Sequence, residues 1–203
     1  MPGRFYLTSD LARITQFLGV SAEGLVADPP RHNVAPGEQI LVAHDGYLQH
    51  MRWGLIPVGR VNARGRPVME TIINARSETV FDKSAFEGVQ RCIVPADGWY
   101  EWTGQTRHKT VWRIYRKDYT MLAFAAIFDV WTAPGGAQIA QVATVTCEPS
   151  ADVRDIHHRM GVILQPDQFG TWLGGTTKAA ADLMRPFPDG MLTVEKATDF
   201  DLS

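Results

Sequence analysis

Met1-Pro2-Gly3-Arg4-Phe5-Tyr6-Leu7 opens the chain, and the arrangement of everything after it depends on how this stretch is read. A chain start is ordinarily a frayed end. Here Arg4 to Leu7 reads as a strand with alternating faces, so the start is expected to belong to the folded core. Gly3 leaves room for a close backbone approach. Pro2 is small enough at position two to permit removal of the initiator Met. The mature chain would then begin with a proline secondary amine at the edge of a core. An α-amino group titrates near pH 8, so roughly a tenth of it is free base at neutral pH. That fraction suffices for attack on an aldehyde through iminium chemistry.

Working outward, Ser9 or Asp10 is an N-cap candidate, with Leu11, Ile14, Phe17 and Leu18 at helical spacing and Gly19 as the stop. Arg31 to Gly37 reads as an irregular turn ending in Pro-Gly. Gln39 to Ala43 and Tyr47 to Trp53 form a hairpin pattern around Asp45-Gly46. Val58 to Pro67 is rich in Gly and Arg, lacks a period and reads as a mobile basic loop. Ile72 to Glu78 follows, with Ser77 or Thr79 available to cap a short helix. Arg91 to Trp102 reads as two strands with a bend set by Pro95 and Gly98. Val111 to Tyr115, Met121 to Trp131 and Ile139 to Thr146 are further strands. Pro166 opens a helix that buries Phe169, Trp172 and Leu173, a last short helix spans Thr177 to Met184, and the acidic tail is weakly patterned. Many short strands and few helices, without a βαβ rhythm, argue for an α+β fold with a closed or half-closed sheet.

A length of 203 residues and 45% hydrophobic content suit one globular domain, with a core over about 1–175 and an acidic extension over 176–203. No charged region followed by an apolar run suggests a leader, and no segment is long enough to span a bilayer. Cys92 and Cys147 form neither a CxxC pair nor a zinc spacing, which points to a reducing cytoplasm. The net charge of −2 argues against whole-surface binding of nucleic acid. Between Arg52 and Lys117, however, twelve basic residues stand against six acidic ones, as a phosphate-binding groove requires.

Several residues have chemistry to offer. Glu101 sits among Trp99, Tyr100 and Trp102, where lost solvation would raise its pKa toward neutrality and make it a general acid or base, although an exposed strand face is the equal alternative. His157 and His158 are adjacent and on a strand would point opposite ways, which makes them poor ligands for one metal. Asn74 and Arg76 lie two apart, an amide and a guanidinium suited to a sugar-phosphate backbone. Trp53 beside Arg52 is either a stacking platform for an unpaired base or a core residue.

Six motifs occur in one order: Met1-x-Gly3-Arg4-Phe5, Arg31-x-Asn33-Val34-Ala35-Pro36-Gly37, Trp53-Gly54-Leu55-Ile56-Pro57, Asn74-Ala75-Arg76-x-Glu78-Thr79, Ala96-Asp97-Gly98-Trp99-Tyr100-Glu101-Trp102 and Ile156-His157-x-Arg159-Met160. Together they resemble the SOS response-associated peptidase (SRAP) family, whose members are abasic-site processing proteins. The resemblance spans roughly residues 1 to 173. It implies a single-domain α+β fold with a bifurcated mixed sheet folded into a pseudo-barrel with flanking helices, a groove for single-stranded DNA and a site at the mature N-terminus. It implies no metal and no cofactor, and a monomer in the cytoplasm is expected. Carried over by motif, Asn74 would position the N-terminus and the sugar, Glu101 would serve as acid and base, and His157 would protonate the sugar oxygen. Arg4 and Arg76 would hold phosphates, Trp53 would contact a base, Thr146 would line the site, and Arg159 would contact DNA.

The family carries cysteine at position 2, whose amine and thiol close a thiazolidine on the lesion; this chain carries Pro2. Without a thiol that ring cannot form. A second departure is Gly161 where the family usually has proline. Three outcomes follow: a lyase acting through a transient iminium, a module that binds single-stranded or abasic DNA without chemistry, or a peptidase limited to removal of its own Met1.

Overall fold

The computed structural model describes residues 3–57, 71–105, 108–133 and 135–198. Pro2 and the basic segment from Val58 to Pro67 lie outside the described residues.

Asp97 is the pivot of the architecture. Before it runs β6 (Gln90–Ala96), and after it β7 (Gly98–Thr103). The two strands belong to different sheets, so the predicted bend splits the molecule. The Asp97 carboxylate accepts the backbone N–H groups of Thr8 (2.7 Å) and Ser9 (2.8 Å) and the Ser9 hydroxyl (2.6 Å), which fixes the far end of β1 (Arg4–Leu7). Gly98 is required by space: a Cβ there would lie 2.5 Å from the Ile114 carbonyl oxygen and 2.5 Å from the Tyr6 hydroxyl.

The smaller sheet has five strands in the order β12 (Leu192–Lys196), β8 (Thr110–Arg116), β7, β1, β2 (Arg31–Val34). The larger has seven. Its path runs from β10 (Gln138–Cys147) through β4 (Tyr47–Trp53), β3 (Gln39–His44) and β6 to β9 (Leu122–Thr132). β9 then pairs with β10 from Gln138↔Thr132 to Thr144↔Ala126, so five strands close into a ring. Two short strands hang on the end of β10: β5 (Asn74–Arg76), parallel, and β11 (Met160–Gly161), antiparallel. This is the α+β pseudo-barrel that the sequence suggested, and closure leaves few strand edges unpaired.

Burial explains the closure. β9 is buried on both faces from Leu122 to Phe128, and β6 from Cys92 to Ala96, so both need neighbours above and below. The hairpin turns at Asp45 (φ 48°) and Gly46 (φ 82°), as a two-residue turn of that hand demands. Helix α1 (Leu11–Leu18) is capped by the Asp10 carboxylate, which accepts the Arg13 N–H at 2.8 Å, and stops at Gly19 in a left-handed conformation. Short helices α2 (Phe169–Gly174) and α3 (Thr177–Ala181) follow, with Phe169 and Trp172 buried. No helix among the described residues is long and apolar enough to cross a membrane.

Local reading erred in four places. Arg31 to Val34 is strand β2, because β1 offers it a partner that Pro36-Gly37 could not announce. The short helix expected after Ile72 is instead strand β5, followed by turns and a 3-10 turn at Ser84–Phe86 with no side-chain cap. His157 and His158 are not on a strand: residues 151–156 are turns, and the two rings stack at 4.3 Å and 23° instead of diverging. The acidic tail supplies β12, held to β8 from Leu192↔Arg116 to Lys196↔Trp112.

Candidate active site

Two walls carry the candidate residues. The first is built where β5 and β11 flank the end of β10. Parallel pairing sets Asn74 beside Thr144 and Arg76 beside Thr146. The buried Thr144 hydroxyl donates to Asn74 Oδ1, which fixes the orientation of the Asn74 amide. Arg76 is exposed. A groove of about 510 Å³ lies against this strand, lined by Asn74, Arg76, Thr79, Lys83, Ser84 and Phe86 among others. Its two cations and its size suit a phosphate-bearing unit of nucleic acid.

His157 and Arg159 complete this wall. The Arg159 guanidinium reaches the Glu78 carboxylate with both terminal nitrogens, one of them at 2.9 Å, and also donates to the Thr146 carbonyl at 2.5 Å. That pairing holds the Glu78 carboxyl down at about 2. The Arg159 backbone N–H donates to His157 Nδ1 at 3.0 Å, and the carbonyl of the same residue stands 3.2 Å from that nitrogen. Burial lowers the His157 pKa to about 4, so its ring is neutral at pH 7.

The second wall is β7. Glu101 is 4% exposed, on the same strand face as Trp99, which is fully buried. Burial raises its carboxyl to about 7. Of the two faces open to Glu101 in the sequence, the structure selects the desolvated one. A carboxyl that is half protonated near neutrality both gives and takes a proton at little cost. The β1–β7 register sets Arg4 opposite Tyr100 and Phe5 opposite Trp99, so the chain enters β1 from the Glu101 end of β7. Arg4 donates to Asn33 Oδ1 at 3.0 Å, and the Tyr100 hydroxyl donates to the His32 carbonyl at 3.1 Å.

Trp53 joins the walls. Its ring packs on Phe5 at 5.2 Å, and its indole N–H donates at 3.1 Å to the carbonyl of Ile73, the residue before Asn74. It is fully buried, so it has no face to offer a base, and the stacking expectation is corrected: Trp53 is a spacer that sets β1 against β5. Two other DNA contacts are corrected for the same reason. Thr146 is fully buried, with its hydroxyl on the Ala75 carbonyl. Arg159 is 8% exposed and its terminal nitrogens are spent on Glu78 and Thr146.

Sequence reasoning missed Thr144, Glu78 and Asn33 as partners. Glu78 and Asn33 stand inside quoted motifs, which was the available signal; Thr144 had none, because only the parallel register of β5 on β10 brings it to Asn74. Cys92 and Cys147 are buried, and burial pushes the Cys147 thiol up to about 12 and that of Cys92 well above its ordinary value. Neither serves as a nucleophile at neutral pH.

The family description "SOS response associated peptidase (SRAP)" matches residues 1–199 of this chain. The chain is 38% identical over 152 residues to the abasic site processing protein YoaM of Bacillus subtilis, an alignment covering 71% of this chain and 66% of that one. It is 35% identical over 184 residues to YoqW of the same organism, with 85% and 80% covered. It is 32% identical over 166 residues to HMCES of Gallus gallus, where 68% of this chain aligns with 49% of the relative. Among solved structures, a protein from Bacteroides thetaiotaomicron superposes with a TM-score of 0.83 at 22% identity, covering 97% of this chain and 92% of its own. One from Bordetella bronchiseptica superposes with a TM-score of 0.81 at 24% identity, covering 97% and 99%. At these identities the two superpositions speak for the fold.

Proposed function

The chain belongs to the SOS response associated peptidase (SRAP) family, and on that premise we propose that it processes abasic sites, binding single-stranded DNA and reacting with the ring-opened lesion through its N-terminal amine. The observation that carries this reading is the buried Glu101 carboxyl, poised near pH 7 at the end of β7 where β1 begins. The names of the relatives, abasic site processing proteins, support the substrate class.

The chemistry follows from Pro2 once Met1 is removed. The ring nitrogen attacks C1 of the open-chain aldehyde. The proton given up by the attacking nitrogen and a second one from Glu101 both go to the carbonyl oxygen, which departs as water. A secondary amine has no further proton to lose, so the product is an iminium cation. That cation acidifies the C2 hydrogen; a base removes it, and the 3′ phosphate leaves by β-elimination. Hydrolysis of the iminium then frees Pro2. Asn74 and the neutral His157 supply hydrogen bonds to the sugar oxygens, and Arg76 faces a phosphate. With no thiol at position 2, no thiazolidine closes and the adduct is transient.

Borohydride trapping on single-stranded abasic DNA tests this. A covalent band is expected from Met1-free protein, verified by intact mass, with a strand break appearing when borohydride is left out. Absence of any trapped band from that same material would sink the covalent reading. Pro2→Cys should convert the transient adduct into a durable one. A second reading, a sheltering module without chemistry, is favoured by the groove beside Arg76 and Lys83, whose cations do not depend on Pro2. It predicts salt-sensitive binding and no adduct. General proteolysis is disfavoured by the burial of both cysteines, which leaves removal of the chain's own Met1 as the peptidase reading.

A further inference from the structure

Glu101 does not stand alone on its strand face. The β7–β8 register sets Trp112 directly opposite it, and the β8–β12 register sets Lys196 directly opposite Trp112. Paired residues share a face, so a carboxyl, an indole and an ammonium form one row across the smaller sheet. Neighbouring strands lie about 4.8 Å apart, which makes the row roughly 10 Å long. Exposure grows along it: Glu101 is 4% exposed, Trp112 is half-buried and Lys196 is exposed. The row therefore runs from the desolvated carboxyl out to solvent.

Trp112 is held as a platform. Its indole N–H donates to the Thr103 hydroxyl at 2.7 Å, which fixes the ring plane. The Lys196 ammonium lies over that ring, 6.0 Å from its centroid. An exposed cation–π contact is weak beside the stacking of a base on an aromatic ring, so an arriving base can take the ring and leave the ammonium to a phosphate. The acid next in sequence does not compete for Lys196, because Glu195 turns to the other face and binds Arg113 at 2.9 Å. The other tryptophans offer no such platform beside Glu101. Trp53, Trp99 and Trp172 are fully buried. Trp102 follows Glu101 on β7 and so faces the opposite way, and Trp131 lies on β9 of the larger sheet.

We propose that Trp112 and Lys196 form a nucleotide subsite beside Glu101: the base adjoining the lesion stacks on Trp112, and its phosphate meets Lys196. A base next to an abasic position has lost its stacking partner on that side, and the indole replaces it. The inference rests on the function proposed above and names which part of the strand this face would hold.

Fluorescence anisotropy with single-stranded oligonucleotides carrying a tetrahydrofuran abasic analogue tests this, because the analogue has no aldehyde and affinity is read without a covalent step. Two further strands lack, in addition, the base on the 5′ side or on the 3′ side of the analogue. The native chain should bind one of these about tenfold more weakly than the parent strand. Trp112→Ala should lose about tenfold on the parent strand and nothing further on that doubly gapped strand, whereas Trp112→Phe should keep most of the native response. Lys196→Gln, an exposed change expected to fold in any case, should keep the response to the missing base and make the salt dependence shallower by about one unit of slope. A native chain indifferent to both neighbouring bases overturns the subsite. So does a Trp112→Ala chain that still responds as the native one does, since a merely structural tryptophan would lower affinity for all strands alike. An unchanged salt slope in Lys196→Gln overturns the phosphate contact. A native chain that binds none of the strands overturns the proposed function together with the subsite, while one that binds the parent strand and fails the comparison leaves that function standing.

Discussion

The two walls hold their working groups ready by opposite means. On the β5–β10–β11 wall, Asn74, Arg159 and His157 are each set by a hydrogen bond: Thr144 on Asn74, Arg159 on Glu78, a peptide N–H on His157. On the β7 wall, Glu101 is made reactive by lost water, beside a fully buried Trp99. Networks fix geometry, and desolvation shifts proton affinity. A site that must aim a sugar and also move a proton near neutral pH needs both, and this fold puts them on separate sheets.

Removing the link between the walls should have the largest effect. Trp53→Ala takes away a fully buried indole and its bond to Ile73, and should cost about 3–5 kcal/mol in urea unfolding. Unchanged stability with lost DNA binding would return Trp53 to the role of a base contact.

Glu101→Gln separates reactivity from stability. Adduct formation should slow about a hundredfold. The folded pKa of Glu101 is raised to about 7. The native state therefore binds this proton more tightly than the unfolded chain, and stability falls as pH rises from the unfolded value to about 7. The loss is at most on the order of 3 kcal/mol and should vanish in Glu101→Gln. His157 acts with the opposite sign: its pKa is lowered to about 4, so its contribution is complete above its ordinary value of 6.5 and is lost as pH falls toward 4. The two effects oppose each other over one window, so thermal midpoints of the native chain should vary less between pH 5 and 7 than those of either His157→Asn or Glu101→Gln. A native profile steeper than both would break the contrast between the walls.

Smaller effects sharpen it. Arg76→Ala should weaken binding of single-stranded DNA several-fold and make the salt dependence shallower by about one unit of slope, without changing stability. Thr144→Val should cost about 1 kcal/mol and slow adduct formation modestly, by freeing the Asn74 amide. No change in Thr144→Val would mean that strand pairing alone aims Asn74.

Much of this molecule was legible in the chain itself, for local reasons. Asp10 before an amphipathic run, Asp45-Gly46 between alternating strands, and a glycine at position 98 each state their conformation through side-chain chemistry a few residues away. The ordered motifs made Asn74, Glu101 and His157 candidates. What tertiary structure alone decided was which face each residue turns and what it meets there. Glu101 had even odds of facing water until the core closed around it. Trp53, Thr146 and Arg159 looked available to DNA until β10 gathered four strands and the closed sheet buried all three residues. Arg31 to Val34 and Leu192 to Lys196 became strands because distant β1 and β8 presented unpaired backbone. Burial and long-range pairing are properties of the assembled sheets, and no window of sequence contains them.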